Sequence, residues 1–280
     1  MELHFEKNTA AYVRLIEPLL MKRESCNNLM LGILNRFANE ESADQNVHKG
    51  YVQKDGKVIY AFMQTPPNNW ILPDVESINE DVAENIAVFL WENKLAVPGV
   101  LGPVRFVKPF VEKWETLSGT TSSLHMNQLI YQLDKVNDVP YSSGRLIEAD
   151  RSHQQLVTDW LVQFGKEVNE PNFSADAEKN AHRFLDNRSV YLWEVDGKPV
   201  SMVNQSRKTK NGASVNAVFT PDEYKQNGYA TSTVATLTSK LLDEGAQFCS
   251  LYTDADYPAS NRIYKKIGYY QVGDSIVYEF

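Results

Sequence analysis

A chain of 280 residues with 42% hydrophobic and 23% charged residues has room for one large or two ordinary domains, each able to bury its own core. Its net charge of −8, from 28 basic against 36 acidic side chains, argues against nucleic acid as a partner, because displacing counterions from phosphates needs a surplus of lysine and arginine. No segment nears the apolar length of a membrane span, and Met1 to Lys7 lacks the basic start and apolar core of a secretion signal, so a cytoplasmic protein with no membrane partner is expected.

Residues 8 to 40 read as helices: Tyr12, Leu15, Ile16 and Leu19 make one apolar stripe, and Leu29 to Phe37 make another after Cys26, Asn27 and Asn28. Tyr51–Gln53 and Val58–Met63 then flank Lys54-Asp55-Gly56-Lys57, a hairpin signature. Pro66-Pro67-Asn68-Asn69 breaks the second strand. Val82 to Leu95 has helical spacing, a short apolar piece follows over Val97–Pro103, Phe106 to Leu117 is helical again, and His125 to Leu133 reads as a strand. Asp134 to Gly144 is polar and turn-rich, which suggests a linker between a domain at 1–138 and another at 139–280.

The second half opens with a strand at Arg145–Ala149 and a helix capped by Asp150 or Ser152 and carrying Leu156, Val157, Trp160, Leu161 and Phe164. Glu167 to Ser174 reads as a loop and Ala175 to Leu185 as a second helix. Val190–Val195 and Pro199–Gln205 pair across Asp196-Gly197-Lys198, another Asp-Gly hairpin. Ser214 to Thr220 is a further strand, ended by Pro221 because proline cannot donate to a ladder. From Thr231 the period becomes helical, with Val234, Leu237 and Leu241 in register and Gly245 as the stop. Small residues in Asn227-Gly228-Tyr229-Ala230 let the backbone curl, so the first amides of that helix can converge on an anion.

Cys26 and Cys249 lie in different halves without metal-ligand spacing, and Cys249 sits in an apolar run as a small core residue. The five histidines are scattered, so no metal is expected.

After an apolar run at Phe248–Tyr252 comes the segment Tyr257 to Tyr269. Here the chain resembles the GNAT acyltransferase superfamily. Lys225, Gly228 and Ala230 fill the family's pyrophosphate-loop pattern Arg/Gln-x-x-Gly-x-Gly/Ala, and Asn261, Tyr264, Gly268 and Tyr269 fit its later segment. Lys225 departs from the usual Arg or Gln, keeping the charge but losing a bidentate fork. The resemblance implies an α+β fold with a mixed, mostly antiparallel GNAT-type sheet flanked by helices, covering residues 145–280 in the order β-α-α-β-β-β-α-β-α-β. For the N-terminal half, a second α/β domain, two readings stand: a degenerate GNAT-like copy without a glycine loop before the helix at Val82, or an unrelated α+β cap.

The resemblance also implies acetyl-CoA as co-substrate. Val218, Phe219 and Thr220 would meet the pantetheine arm, and Lys225, Gln226, Asn227, Gly228, Tyr229, Ala230 and Thr231 would surround the pyrophosphate. Asn261 would hold the cofactor arm, and Tyr264 would protonate the departing thiolate. Asn216 stands where some relatives have a glutamate, so the general base stays unassigned among Glu170, Glu194, Asp254, Asp256 and water. The expected function is transfer of an acyl group to a primary amine of a small molecule or peptide. A non-catalytic acyl-CoA sensor and a tandem transferase with another acyl donor or acceptor are the alternatives, and a homo-oligomer is left open.

Overall fold

The computed structural model describes residues 1–39, 47–76, 78–79 and 81–280; Glu40, the end of the first helical stretch read from sequence, lies outside them. The chain divides into two compact units: Met1–Tyr131 with Tyr252–Tyr257 and Gln271–Phe280, and Gln132–Leu251 with Pro258–Tyr270.

The first unit begins with β1 (Glu2–Phe5), α1 (Thr9–Leu20), α2 (Asn28–Asn39), β2 (His48–Lys54), β3 (Lys57–Gln64) and β4 (Trp70–Ile71). It continues with α3 (Asp81–Glu92), β5 (Gly99–Gly102), α4 (Val104–Ser118) and β6 (Ser123–Leu133). The Asn8 side chain caps α1 by accepting from the Ala11 amide at 2.8 Å, and the helix buries Tyr12, Ile16 and Leu20, one residue per turn. The hairpin turns at Asp55 (φ 50°) and Gly56 (φ 72°), two successive left-handed residues whose twist matches that of the strands. Helix α4 stops at Gly119, which adopts φ 71° and returns its amide to Glu115. Strands β1 and β4 carried no readable signal, because four and two residues are too few to display a period.

In the second unit, β7 (Arg145–Glu148) leads to α5 (Gln154–Glu167), α6 (Pro171–Ala175) and α7 (Ala177–Asp186). Then come β8 (Val190–Val195), β9 (Lys198–Lys208), β10 (Gly212–Phe219), α8 (Tyr229–Asp243), β11 (Phe248–Asp254) and α9 (Pro258–Ile267). Asp150 caps a single 3-10 turn ahead of α5 by accepting from the Ser152 amide at 2.9 Å. Residues 171–174, read from sequence as loop, belong to α6 instead. Proline at a first helical position costs no hydrogen bond, and Phe173 packs edge-on against Phe164 at 5.4 Å. The core gathers Val157, Trp160 and Leu161 of α5 with Phe184 and Leu185 of α7 against Leu192, Met202 and Phe219 of the sheet.

The chain closes with β12 (Tyr270–Glu279), which pairs antiparallel with β5 of the first unit from Ile276↔Gly102 to Glu279↔Gly99. Strand order is β1-β2-β3-β4-β5-β12-β6 in the first unit and β11-β10-β9-β8-β7 in the second. The sheets are mostly antiparallel, and each unit has a parallel pair, β4–β5 and β10–β11. The first unit repeats the hairpin, strand, helix, strand, helix order of the second. Ile276, 5% exposed, packs into the cluster that holds Trp70, Phe106 and Phe110. Ile276→Ala should therefore lower unfolding free energy by about 2–5 kcal/mol. Urea denaturation followed by tryptophan fluorescence measures this, and a loss well under 1 kcal/mol would make β12 peripheral to that core.

Candidate functional site

The site grows from the end of β10. On one side its register with β11 runs only from Gly212↔Phe248 to Ser214↔Ser250. On the other side its register with β9 shifts between Ser214 and Val215 and again between Asn216 and Phe219. Ala217 lies in the second shift at φ 48°, so Ala217 and Val218 bulge out of the ladder and their backbone groups are not committed to β9. Sequence gave no warning of this bulge, because no glycine marks it and the apolar run looks uninterrupted; alanine, with the smallest side chain after glycine, tolerates the left-handed conformation at modest cost.

Asn216, next to the bulge, is held in a polar row. Its Oδ1 accepts from Asn204 Nδ2 at 2.8 Å, and Asn204 Oδ1 accepts from the Ser189 hydroxyl at 2.7 Å. An amide has no proton-accepting nitrogen, so the position cannot act as a base. Among the carboxylates considered for that role, Glu194 is paired with Arg145 at 2.8 Å, and Asp254 accepts from the Asp256 amide at 2.8 Å.

Beyond Pro221 a 3-10 turn (Asp222–Tyr224) brings Lys225 between two carboxylates, 2.8 Å from Asp222 Oδ1 and 3.1 Å from Glu167. Desolvation pulls the Lys225 ammonium down, but its hydrogen bonds to Asp222 and Glu167 outweigh that and hold its pKa above the ordinary lysine value. Gln226 takes φ 65°, and Asn227 Nδ2 ties the loop to the carbonyls of Tyr224 and Lys225 at 3.1 Å.

Gly228 is the N-cap of α8 at φ 78°, ψ 3°, and no side chain caps the helix. Tyr229, Ala230 and Thr231, of which the first two read as loop in the sequence, thus form the first helical turn, and their amides share the positive end of the helix dipole. Ser142, within the polar stretch read as a linker, braces this loop from outside: its hydroxyl donates to Asn227 O at 2.6 Å, and its amide donates to Ser232 Oγ at 2.8 Å. A Cβ built at Gly228 would lie 2.8 Å from Ser142 Oγ. The cradle therefore depends on glycine for both conformation and space.

Asn261 and Tyr264 project from one face of α9, 7% and 8% exposed, and α9 packs on α8. The Tyr264 ring meets Tyr269 edge-on at 6.0 Å, and the Tyr269 hydroxyl lies 2.9 Å from Thr238 Oγ1 of α8. Burial pushes the Tyr264 phenol well above its ordinary range, so it is protonated at neutral pH and holds that proton more tightly than an exposed tyrosine would. The residues expected to bind a cofactor fall on two elements, the continuous β10–α8 segment and the buried face of α9. Among the described residues, no three His, Cys, Asp or Glu side chains are grouped to hold a metal ion. None of the described helices is long and apolar enough to cross a membrane.

The family model described as acetyltransferase (GNAT) family matches residues 153–269. None of the curated proteins matches the sequence. Solved structures similar to the chain include a GNAT-family acetyltransferase from Colwellia psychrerythraea, 10% identical with a TM-score of 0.58, covering 100% of both chains. A GCN5-related N-acetyltransferase from Sphaerobacter thermophilus is 10% identical with a TM-score of 0.61, covering 99% of this chain and 95% of its own. A tandem GNAT protein from the clavulanic acid biosynthesis pathway is 14% identical with a TM-score of 0.56, covering 99% and 97%. At such identities the likeness is one of fold. It extends over both units.

Neither cysteine is suited to be a nucleophile. Burial pushes the Cys249 thiol up to about 12, and burial, partly offset by Arg23, takes Cys26 to about 11. Cys249 is 0% and Cys26 7% exposed. At pH 8 both remain thiols, so the folded protein should react with iodoacetamide at least about tenfold more slowly than the urea-unfolded chain. Mass spectrometry of the alkylated peptides checks this, and rapid labelling of Cys249 in the folded state would contradict its burial.

Proposed function

We propose, from the match of the acetyltransferase (GNAT) family model to residues 153–269, that the protein transfers an acyl group from acetyl-CoA to a primary amine of a small molecule or peptide. The observation that carries this reading is the glycine-started, side-chain-free N-terminus of α8 directly after a bulged strand. A pyrophosphate is matched there by convergent backbone amides, by the helix dipole and by Lys225, and a side chain on residue 228 would push against Ser142 and disturb the left-handed turn that aims those amides. When bound, acetyl-CoA would supply a thioester whose carbonyl carbon is open to direct attack by the amine.

The chain's own residues then do three things. Val218, Phe219 and Thr220 offer backbone groups to an extended arm, as a strand does at a free edge. Amides of the bulge polarise the carbonyl as negative charge develops on its oxygen. Tyr264 gives its phenolic proton to sulfur as the carbon–sulfur bond breaks, and Asn261 steadies the arm from the same helix face. The amine's proton passes to a base other than Asn216, which stands where some relatives have a glutamate and is locked to Asn204.

That asparagine also motivates a second reading, a sensor that binds acyl-CoA without turnover. Release of free CoA in the presence of a panel of primary amines separates the two. Turnover on any acceptor removes the sensor reading, and tight binding with no turnover across the panel supports it.

Gly228→Glu should abolish CoA binding by calorimetric titration while leaving the circular dichroism spectrum unchanged, because it disturbs the turn that aims the amides and brings a negative charge to the pyrophosphate loop. Unchanged affinity would reduce the loop to a turn. Tyr264→Phe should bind acetyl-CoA as well as the parent but lose about 10²–10⁴-fold in kcat, the span for removing a positioned acid. A lowered melting temperature with full kcat would instead make Tyr264 a packing residue.

A further inference from the structure

The first unit carries a cleft of about 510 Å³ whose wall includes Arg23, Asp74, Glu76, Arg105 and Asp274. That volume suits a small organic ligand. The cleft opens where the parallel pair β4–β5 ends: the register covers only Trp70↔Val100 and Ile71↔Leu101, after which the chain from β4 leads to Asp74 and the chain from β5 leads to Arg105. No family motif accounts for this charge cluster, because the loop before α3 has no glycine cradle.

Asp74 is the organising residue. Its side chain is 10% exposed and takes two guanidinium groups at once, Arg23 Nη2 at 3.0 Å on Oδ2 and Arg105 Nη2 at 2.7 Å on Oδ1. Its backbone is held by the Asn27 side chain, which accepts from the Asp74 amide at 2.7 Å and donates to the Asp74 carbonyl at 2.9 Å. Arg105 also lies over the Phe106 ring at 4.5 Å, which leaves its guanidinium plane fixed.

Two guanidinium groups share the one carboxylate of Asp74, so around Asp74 itself positive charge is in excess, while the cleft as a whole holds two cations and three carboxylates. The arginine side chains remain 30% and 39% exposed, so that charge is accessible to a ligand. Two further carboxylates stand in the same cleft. Glu76 lies 3.5 Å from Arg23 Nη1 with its side chain 56% exposed, and Asp274 uses one oxygen to accept from the Val104 amide at 2.8 Å, leaving the other. The cleft thus offers a cationic floor and two separate anionic positions.

We propose that this cleft is a binding site for a zwitterion of the amino-acid or dipeptide class, its carboxylate against Arg23 and Arg105 and its ammonium against Glu76 and Asp274. The pre-formed Asp74–Arg23–Arg105 cluster lowers the cost of binding, because the arginines are already ordered before the ligand arrives. A carboxylate engages a fixed guanidinium with directional, charge-assisted bonds, and a lone phosphate would leave the two outer carboxylates facing it in repulsion.

The test uses the full-length protein and ligand-observed NMR with glycylglycine, alanylglutamine and free lysine at millimolar concentration. The capped controls are N-acetyl-glycylglycine and glycylglycinamide, with inorganic phosphate as a further arm. At least one zwitterion should bind, and removing either of its charges by capping should weaken binding about tenfold. Arg105→Gln and Glu76→Gln should each weaken it by a similar factor with calorimetric CoA affinity unchanged. Glu76→Gln lies at an exposed position, so its result stands even where Arg105→Gln lowers the melting temperature. Failure of every zwitterion to bind, equal binding of the capped forms, phosphate binding in their place, or unchanged binding in Glu76→Gln would each overturn the proposal.

Discussion

Parallel strands can share hydrogen bonds only as far as their backbones run side by side, and in both units that distance is two or three residues. Past that point every backbone donor and acceptor needs another partner, since leaving one buried and unpaired costs about 1–3 kcal/mol. The functional features of both units are local answers to this requirement. In the second unit β10 leaves β11 after Ser214 and bulges from β9 at Ala217, the Ser201 hydroxyl donates to Phe219 O at 3.1 Å, and the chain turns through a left-handed glycine into a helix. In the first unit Leu72 donates to Leu101 O at 2.9 Å, and Asn27 then satisfies both backbone groups of Asp74.

The same topology therefore yields two chemically different hollows. Where the turn after the strand is built on glycine, backbone amides face outward and a helix dipole supplies partial positive charge, which suits a phosphate. Where it is built on proline and aspartate, as at Pro73 and Asp74, the charge comes from side chains instead and both signs can be placed. The two halves thus differ in how the end of a parallel ladder is satisfied.

Features with a local cause could be read from the sequence, and features with a distant cause could not. Asp55-Gly56 and Asp196-Gly197 announced their hairpins because two left-handed residues are a strictly local demand. Gly228 and the Asn261–Tyr264 spacing were legible for the same reason, one as a backbone requirement and the other as one turn of helix. Ala217 was hidden because a bulge is created by mismatch with the neighbouring strand. Ser142 looked like linker, since its role is defined by Asn227 and Ser232, far along the chain. Arg23, Asp74 and Arg105 likewise carry no common motif and meet only through the fold. The fate of the final strand was the least legible, because its alternating pattern states that it pairs but not with which edge.

That strand has a bearing on how the protein is made. β12 follows β5 by more than 160 residues in the chain, so during synthesis the edge of β5 from Gly99 to Gly102 stays without its partner until residues 276–279 have been made. An open strand edge of this kind is a template for pairing with other chains.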